Sequence, residues 1–549
     1  MNRETLLSRL KADKEYDLLV VGGGATGCGV AVDAATRGLD VALVERADYA
    51  SGTSSKSTKL VHGGVRYLEK AVLKLDKEQF DLVREGLKER GQLLKNAPHL
   101  AHPLKLITPV HTVREAGYMY AGLVMYDLLA GKLGLGRSKL VSRKKAQQLF
   151  PTLNLDGYKA AVIYYDGQFN DARMAVTLAR TANEHGATCL NHVEVTGLVR
   201  TQGKVRGAHV RDNLTGEEWT IRAKGVVNAT GPMADTLRHM DDPQLPDILK
   251  VSSGIHIMLD AKFTPPDLSL MIPSTEDGRV LFMIPWMGHV VFGTTDEPAT
   301  PDHDPVPAEQ DIEYLLKYAA KYLNRPVMRS DVLSVWSGLR PLVFASGKSS
   351  TQELARTHVL DVSPAGVLTI TGGKWTSYRR MAEDTVDRAD SLFGFNLRRP
   401  CVTDTLKVLG SRGFVPGAHT EMAREYGISE ELAESLHKTY GDEAAKVVQV
   451  ARETGLTEPL HPEHAYIGAE VVYQARYEMA SRVSDVLVRR LPLGLVNLAH
   501  AIEAAPVVAE IMGNELCWEP ARCKEETEAA TAMLQRWLKP DSNKGNNGE

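Results

Sequence analysis

Gly22, Gly24 and Gly27 stand at G-x-G-x-x-G spacing in VVGGGATGCG, and Glu45 closes the next apolar run, VALVER. That pattern suits a dinucleotide. The first glycine lets the chain turn sharply, the second lets backbone approach a pyrophosphate, and the third lets a helix pack closely on the turn. Ala25 and Thr26 open that helix, whose unpaired N–H groups and partial positive charge offer a seat for phosphate. Glu45 is placed to accept hydrogen bonds from a ribose diol. NAD and FAD both satisfy the motif. The stretch SGTSSKSTK supplies Thr53, Ser54, Ser57 and Lys59, then runs into LVHGGVRY with His62, Gly63, Gly64, Arg66 and Tyr67. Hydroxyls beside glycines present many donors, which suit the remaining phosphates and the edge of a flavin ring. Ala229, Thr230 and Gly231 end an apolar run and leave room for a cofactor. Gly372, Gly373, Lys374, Trp375 and Thr376 repeat the strand, glycine and helix arrangement, so a second dipole end points into the site.

The elements that must hold these residues read as follows. Tyr16 to Val21 is a buried parallel strand, and Val41 to Val44 is the next. Ala101 to Thr152 reads as mixed helix and loop, and YYDGQFNDAR as a turn leading into a helix from Ala172 to Glu184. Thr188 to Arg200 and Val205 to Arg211 read as short strands pairing around a turn. From Lys250 the pattern changes to alternating strands, VSSGIHIML, RVLFMIPW and HVVFGTTD, the last two joined at Met287 and Gly288. Gly338 and Arg340 fall at the end of a further strand. From about residue 407 the periodicity is helical with few strand signals.

Composition bounds the rest. The chain has 549 residues, 43% of them hydrophobic, enough for two or three cores. A net charge of −4 provides no field for nucleic acid. The five cysteines form no C-x-x-C pair and read as reduced thiols, and no metal site is expected from them. No apolar run is long enough to span a bilayer.

Taken together, VVGGGATGCG, SGTSSKSTKLVHGGVRYLE, VNATGP, IPW with FGTTD, WSGLRPL and GGKWTSYR resemble the FAD-dependent glycerol-3-phosphate dehydrogenases, from Tyr16 to Ala389 in the expected order. YYDGQFNDAR, SSGIHI and GGKW bring the chain nearer the mitochondrial type. The resemblance implies an α/β fold, α+β overall. Its parts are a Rossmann-like FAD-binding domain of the glutathione-reductase and D-amino-acid-oxidase type, an antiparallel-sheet substrate domain and a C-terminal all-helical domain. Their expected bounds are 1–100, 165–250 and 345–392 for FAD, 101–164 and 251–344 for substrate, 393–406 as linker, 407–538 as helical domain and 539–549 as a disordered tail. The implied reaction is hydride transfer from C2 of sn-glycerol 3-phosphate to flavin N5, giving dihydroxyacetone phosphate, with electrons passed to a membrane quinone. No transit peptide and no EF-hand loop are seen, so the expected setting is a bacterial cytoplasm, with the protein peripheral on the cytoplasmic face of the membrane. A homodimer is left open.

The substrate is a small dianion, so cations must hold it. Arg66, Arg340, Arg356 and Lys374 are the candidates, arginine being best suited to bidentate phosphate contact. Lys374 at a helix start also stabilises negative charge that grows at the flavin and the C2 carbonyl. His62 and His256 are the family-like positions for the base that takes the C2 hydroxyl proton, His62 being preferred beside the glycines. Tyr67 and Thr295 are expected to orient the substrate and Asp296 to fix an arginine. Arg46 and Val193 are counted with the cofactor contacts, and Trp375 is read chiefly as core. The rival readings are a glycerol-3-phosphate oxidase using oxygen, an NAD-dependent dehydrogenase, and a non-catalytic flavin-binding redox sensor.

Overall fold

The computed structural model describes residues 2–65, 76–343 and 358–539. Among them are a sheet of eight strands and a sheet of ten. In the first, Thr188–Leu190, Val41–Val44, Glu15–Val21, Glu218–Asn228 and Leu368–Gly372 run parallel, with His358–Val362 added antiparallel at the edge. Leu18, Leu19 and Val20 are fully buried, as a central strand covered on both faces requires. The helices Ala25–Thr36, Asp171–Glu184 and Tyr378–Phe393 pack over it, contributing to one apolar core. The N-terminal half of Glu218–Asn228 pairs instead with Lys204–Asp212, which pairs with Val193–Thr201. The stretch from Thr188 to Arg200 is therefore two strands. It breaks at Asn191 and His192, where His192 has a φ of 56°, and only Thr188–Leu190 joins the parallel set.

The second sheet is built on Leu249–Asp260, flanked by Val332–Val343 on one edge and by His289–Gly293 and Glu297–Ala299 on the other. The hairpin Leu281–Trp286 to His289–Gly293 turns at Met287 and Gly288 as expected. Two strands depart from the sequence reading. Ala101–Val110 and Ala160–Phe169 pair along their whole lengths, so YYDGQF is strand. Its polar residues are neutralised by partners: Arg90 donates to Asp166 at 2.7 Å, and a ring nitrogen of His102 lies 3.0 Å from Gln168. Pro103 and Pro109 are tolerated because Ala101–Val110 is paired on its other edge only at Leu106 and Ile107.

The chain after residue 418 is helical, from His419–Tyr426 to Pro520–Leu538. Buried charges join it to the first sheet. Arg490 makes two bonds to Asp48, at 2.6 and 2.9 Å, and Arg489 adds a third at 2.7 Å. Both arginines come from one wide π-type turn, Asp485–Arg490. Arg173 forks onto Glu478, and Arg180 reaches Glu443 and Glu478. No helix among the described residues is long and apolar enough to cross a membrane. The five cysteines are free thiols.

Candidate active site

A cavity of about 1020 Å³ lies between the two sheets. The glycine turn forms one wall. Gly22 has a φ of 110°, and a Cβ there would sit 2.6 Å from the Ala229 carbonyl oxygen. A Cβ on Gly27 would overlap the Gly22 carbonyl, so the helix packs on the turn only without one. Gly24 caps the helix Ala25–Thr36 and faces the cavity, where a Cβ would meet Ser54 Oγ at 3.0 Å. The three glycines thus serve turn, packing and approach, as their spacing demands. Ser54 Oγ accepts the Ala25 N–H at 2.9 Å. The Glu45 carboxylate accepts the N–H groups of Gly23 and Ala47 at 2.7 and 2.9 Å and lines the cavity. Burial pushes its pKa up, and those two N–H groups pull it back.

Of the other expected cofactor contacts, Ala25, Thr26, Thr53, Ser54, Ser57, His62, Gly64, Ala229, Thr230, Gly231, Gly373, Lys374, Trp375 and Thr376 line the same cavity. Several hydroxyls are already engaged. Thr53 donates to the Leu339 carbonyl, Ser57 to Asp171 at 2.7 Å, and Thr230 to Asn228 at 2.7 Å. Trp375, read chiefly as core, packs half-buried against the core beside Phe169 and Tyr378 and also lines the cavity, its indole N–H donating to the Ser54 carbonyl at 2.9 Å. Four expected contacts lie elsewhere. Lys59 is fully buried in an ion pair with Asp171, at 2.7 Å, because an ammonium without water needs a carboxylate. Arg46 turns outward to Glu194, 3.6 Å away. Gly63 donates to the Tyr126 hydroxyl at 2.7 Å and is packed against Leu87. Val193 is fully buried in its strand, its N–H donating to the Glu45 carbonyl at 2.7 Å.

The opposite wall carries the charged group of the second sheet. Arg340 Nη1 donates to Asp296 Oδ1 at 3.1 Å and to the Ser253 carbonyl at 3.3 Å. Its Nη2 donates to Thr294 Oγ1 at 3.0 Å and to the Thr295 carbonyl at 2.9 Å. Asp296 is steadied by the Ser252 hydroxyl at 2.7 Å. Thr295, expected to orient a substrate, is fully buried with its hydroxyl accepting the Ile255 N–H at 3.1 Å, so its side chain serves the strand and its carbonyl the arginine. Gly254 and Gly338 face each other across neighbouring strands. Gly254 leaves room for the guanidinium and Gly338 for the Lys56 backbone.

His256 is buried, with Nε2 2.9 Å from Thr58 Oγ1. Burial, then Arg340 and Lys59, hold its pKa well below the ordinary value, so the ring is neutral at pH 7. The His62 N–H donates to Thr376 Oγ1 at 3.2 Å, tying His62 to the second glycine and helix unit, and Lys374 stands at the start of that unit. Arg66, Tyr67 and Arg356 lie outside the described residues. Lys56 and Thr58 were missed in the sequence reading although both sit in SGTSSKSTK. Lys56 lines the cavity with its ammonium 3.4 Å from the centre of the Trp537 ring, and burial lowers its pKa to about 7.

Comparison with known proteins decides the family. The sequence profile described as "FAD dependent oxidoreductase" matches residues 17–379, and that of the "C-terminal domain of alpha-glycerophosphate oxidase" matches residues 401–523. A probable mitochondrial glycerol-3-phosphate dehydrogenase of Caenorhabditis elegans is 45% identical over 97% of this chain and 75% of its own length. The chain belongs to the FAD-dependent glycerol-3-phosphate dehydrogenase family. A mitochondrial glycerol-3-phosphate dehydrogenase of Arabidopsis thaliana is 43% identical over 100% of this chain and 90% of its own. The crystal structure of the dehydrogenase from Bacillus halodurans, complexed with FAD, superposes with a TM-score of 0.80 at 30% identity over 98% of each chain. The family is thus that of FAD-dependent oxidoreductases with an α/β sheet core and a helical C-terminal part, as the resemblance implied. The glycine turn, Glu45 and the unbranched space before Gly24 fit the pyrophosphate and ribose of its cofactor.

Proposed function

We propose that this chain oxidises sn-glycerol 3-phosphate to dihydroxyacetone phosphate in the cavity between the two sheets. The observation that carries the reading is the gathering of Arg340, Lys374, His62 and His256 around one cavity that also holds the dinucleotide turn. Bound FAD supplies the acceptor for the hydride that leaves C2.

The chain's own groups do the rest. Arg340, its fork set by Asp296 and the backbone carbonyls, and Lys374, at a helix start, hold the dianion, with Arg66, Arg356 and Tyr67 assigned to the same task from the sequence. His62 takes the proton of the C2 hydroxyl. His256 stays neutral and hydrogen-bonded to Thr58, shaping the wall beside Arg340. Lys374 stabilises charge that builds on the substrate oxygen as the proton and hydride depart.

The reading is tested by an anaerobic visible spectrum of the FAD-loaded protein before and after glycerol 3-phosphate. Rapid bleaching is expected; a yellow protein that the substrate leaves unchanged refutes it and favours a sensor. Electrons are proposed to go on to a quinone at the cytoplasmic face of a membrane to which the protein binds peripherally. Reduction of a quinone analogue with little peroxide, and release from membranes by salt, are the expected results. Stoichiometric peroxide would instead make the chain an oxidase.

A further inference from the structure

Away from the cavity, three imidazoles converge on the helical part of the chain. His461 and His464 sit on one turn, His-Pro-Glu-His, closed by a bond from the His464 N–H to the His461 carbonyl at 3.0 Å. His500 lies in the first turn of the helix Leu498–Leu516, where the Asn497 side chain accepts the N–H groups of Ala499 and His500. One ring nitrogen from each of the three lies within 4.8 Å of the others. Nε2 of His464 and Nδ1 of His500 are 2.9 Å apart, and the rings of His461 and His500 stack with centroids 4.0 Å apart. Nitrogens this close either share one proton or turn both lone pairs toward one cation.

The surroundings favour the cation. Glu503 Oε2 lies 3.2 Å from His461 Nε2, and Glu463 Oε2 lies 3.9 Å from His500 Nε2. A histidine that binds a metal through one nitrogen characteristically donates the other N–H to a carboxylate, which fixes its tautomer. Glu503 is within hydrogen-bond reach of His461 Nε2 and Glu463 stands further off, while Nε2 of His464 and Nδ1 of His500 face each other and His461 offers one ring nitrogen to the same group. Nδ1 of His461 receives the Glu463 N–H at 3.2 Å, a long bond that an ion would displace. Three imidazoles without a thiolate suit zinc or a similar divalent transition ion better than calcium or magnesium, which take oxygen ligands. Tetrahedral coordination at about 2.0–2.1 Å puts the nitrogens about 3.3 Å apart, so the widest pair closes by at most about 1.5 Å, and one of the stacked rings of His461 and His500 turns so that its in-plane lone pair meets the ion. A second convergence, Asp48, His192 and Asp485, is different: Arg489 and Arg490 already occupy it with positive charge.

We propose that His461, His464 and His500 bind one divalent transition-metal ion of the zinc class, with Glu503 and Glu463 behind the rings and water in the fourth position. None of the three histidines lines the cavity, so the ion clamps the His-Pro-Glu-His turn to the helix Leu498–Leu516.

The test uses the FAD-loaded full chain, stripped with a chelator, given excess zinc chloride and desalted. One retained zinc per chain is expected, with an X-ray absorption spectrum showing three imidazoles at about 2.0–2.1 Å. H464Q and H500Q should each lose the stoichiometric ion while the flavin stays bound, and E503Q should weaken binding by about 10–100-fold. A wild-type protein that retains no zinc, an ion bound by fewer than two imidazoles, or yellow H464Q and H500Q proteins that hold zinc as the wild type does would overturn the proposal. The wild-type spectrum decides alone if a variant fails to fold.

Discussion

Gly254→Ala tests the arginine at the centre of the proposed site without replacing a charged residue. A Cβ at this position would lie 2.5 Å from Arg340 Nη1 and 2.6 Å from the Thr295 carbonyl oxygen. Ordinary contact begins near 3.4 Å, and Arg340 Nη2 lies nearer still than Nη1, so the guanidinium must retreat by about 1 Å, a gap no rotation of a methyl group can open. The Thr295 carbonyl is backbone and yields less. Retreat stretches the bonds from Arg340 to the Ser253 and Thr295 carbonyls, now 3.3 and 2.9 Å, and moves the fork away from its proposed place against the substrate. Misplacement on this scale slows a positioned reaction about 100-fold, or about 2.7 kcal/mol at the barrier. Overpacking lowers stability by about 1–3 kcal/mol, which leaves a protein of this size folded. The assay is stopped-flow bleaching of the bound flavin by glycerol 3-phosphate without oxygen, beside a thermal melt. A variant that melts lower yet bleaches within about twofold of the wild-type rate would show that Arg340 holds the sheet and not the substrate.

Lys374→Met, which removes a cation while the glycine turn stays intact, should retain FAD and lower kcat/KM by about 10–100-fold, the worth of one charge-assisted bond; unchanged kinetics would take Lys374 out of the site. His62→Asn should slow flavin reduction more than it weakens substrate binding, and if His256→Asn alone does so, the base is His256. His99 is buried against Ser411 and Phe414, and burial followed by Arg173 lowers its pKa to about 3. The unfolded chain therefore takes up a proton near pH 6.5 that the folded chain refuses, so this contribution to stability is full above pH 6.5 and is lost as pH falls. Relative to His99→Gln, the wild type should lose about 1.4 kcal/mol more per pH unit between pH 6 and 4, read from urea midpoints. Parallel curves would mean that His99 binds its proton in the fold. Glu470, raised to about 7 by burial, works in the opposite sense in both proteins and cancels in the comparison.

Features set by neighbours in sequence were the legible ones. The glycine turn, the strand before it and Glu45 follow one another closely, so spacing alone gave their geometry. Gly338 and Arg340 were read near the end of their own strand, and Asp296 followed from the family resemblance. What escaped reading depends on partners far along the chain. Lys56 and Lys59 stand in one hydroxyl-rich run with nothing local to tell them apart, yet Lys59 is buried in an ion pair with Asp171 while Lys56 lies against the cavity wall with its buried ammonium on the Trp537 ring. Ala101–Val110 looked irregular because prolines near both ends usually break strands. Ala160–Phe169 looked like a turn because Asp166 and Gly167 follow two tyrosines. The partner that makes each of them a strand is the other one.

The charges that join the helical part to the first sheet bear on how the molecule comes apart. Asp48 follows Glu45 by a few residues, and its two arginines belong to a turn more than four hundred positions later in the sequence. Pulling the two regions apart would strand those ions in a medium that cannot hydrate them, at about 3–5 kcal/mol for each broken pair. A nick in the connection between them would thus release no free-standing redox module. The nicked pieces would stay together, and when they separated the nucleotide pocket would be lost with them.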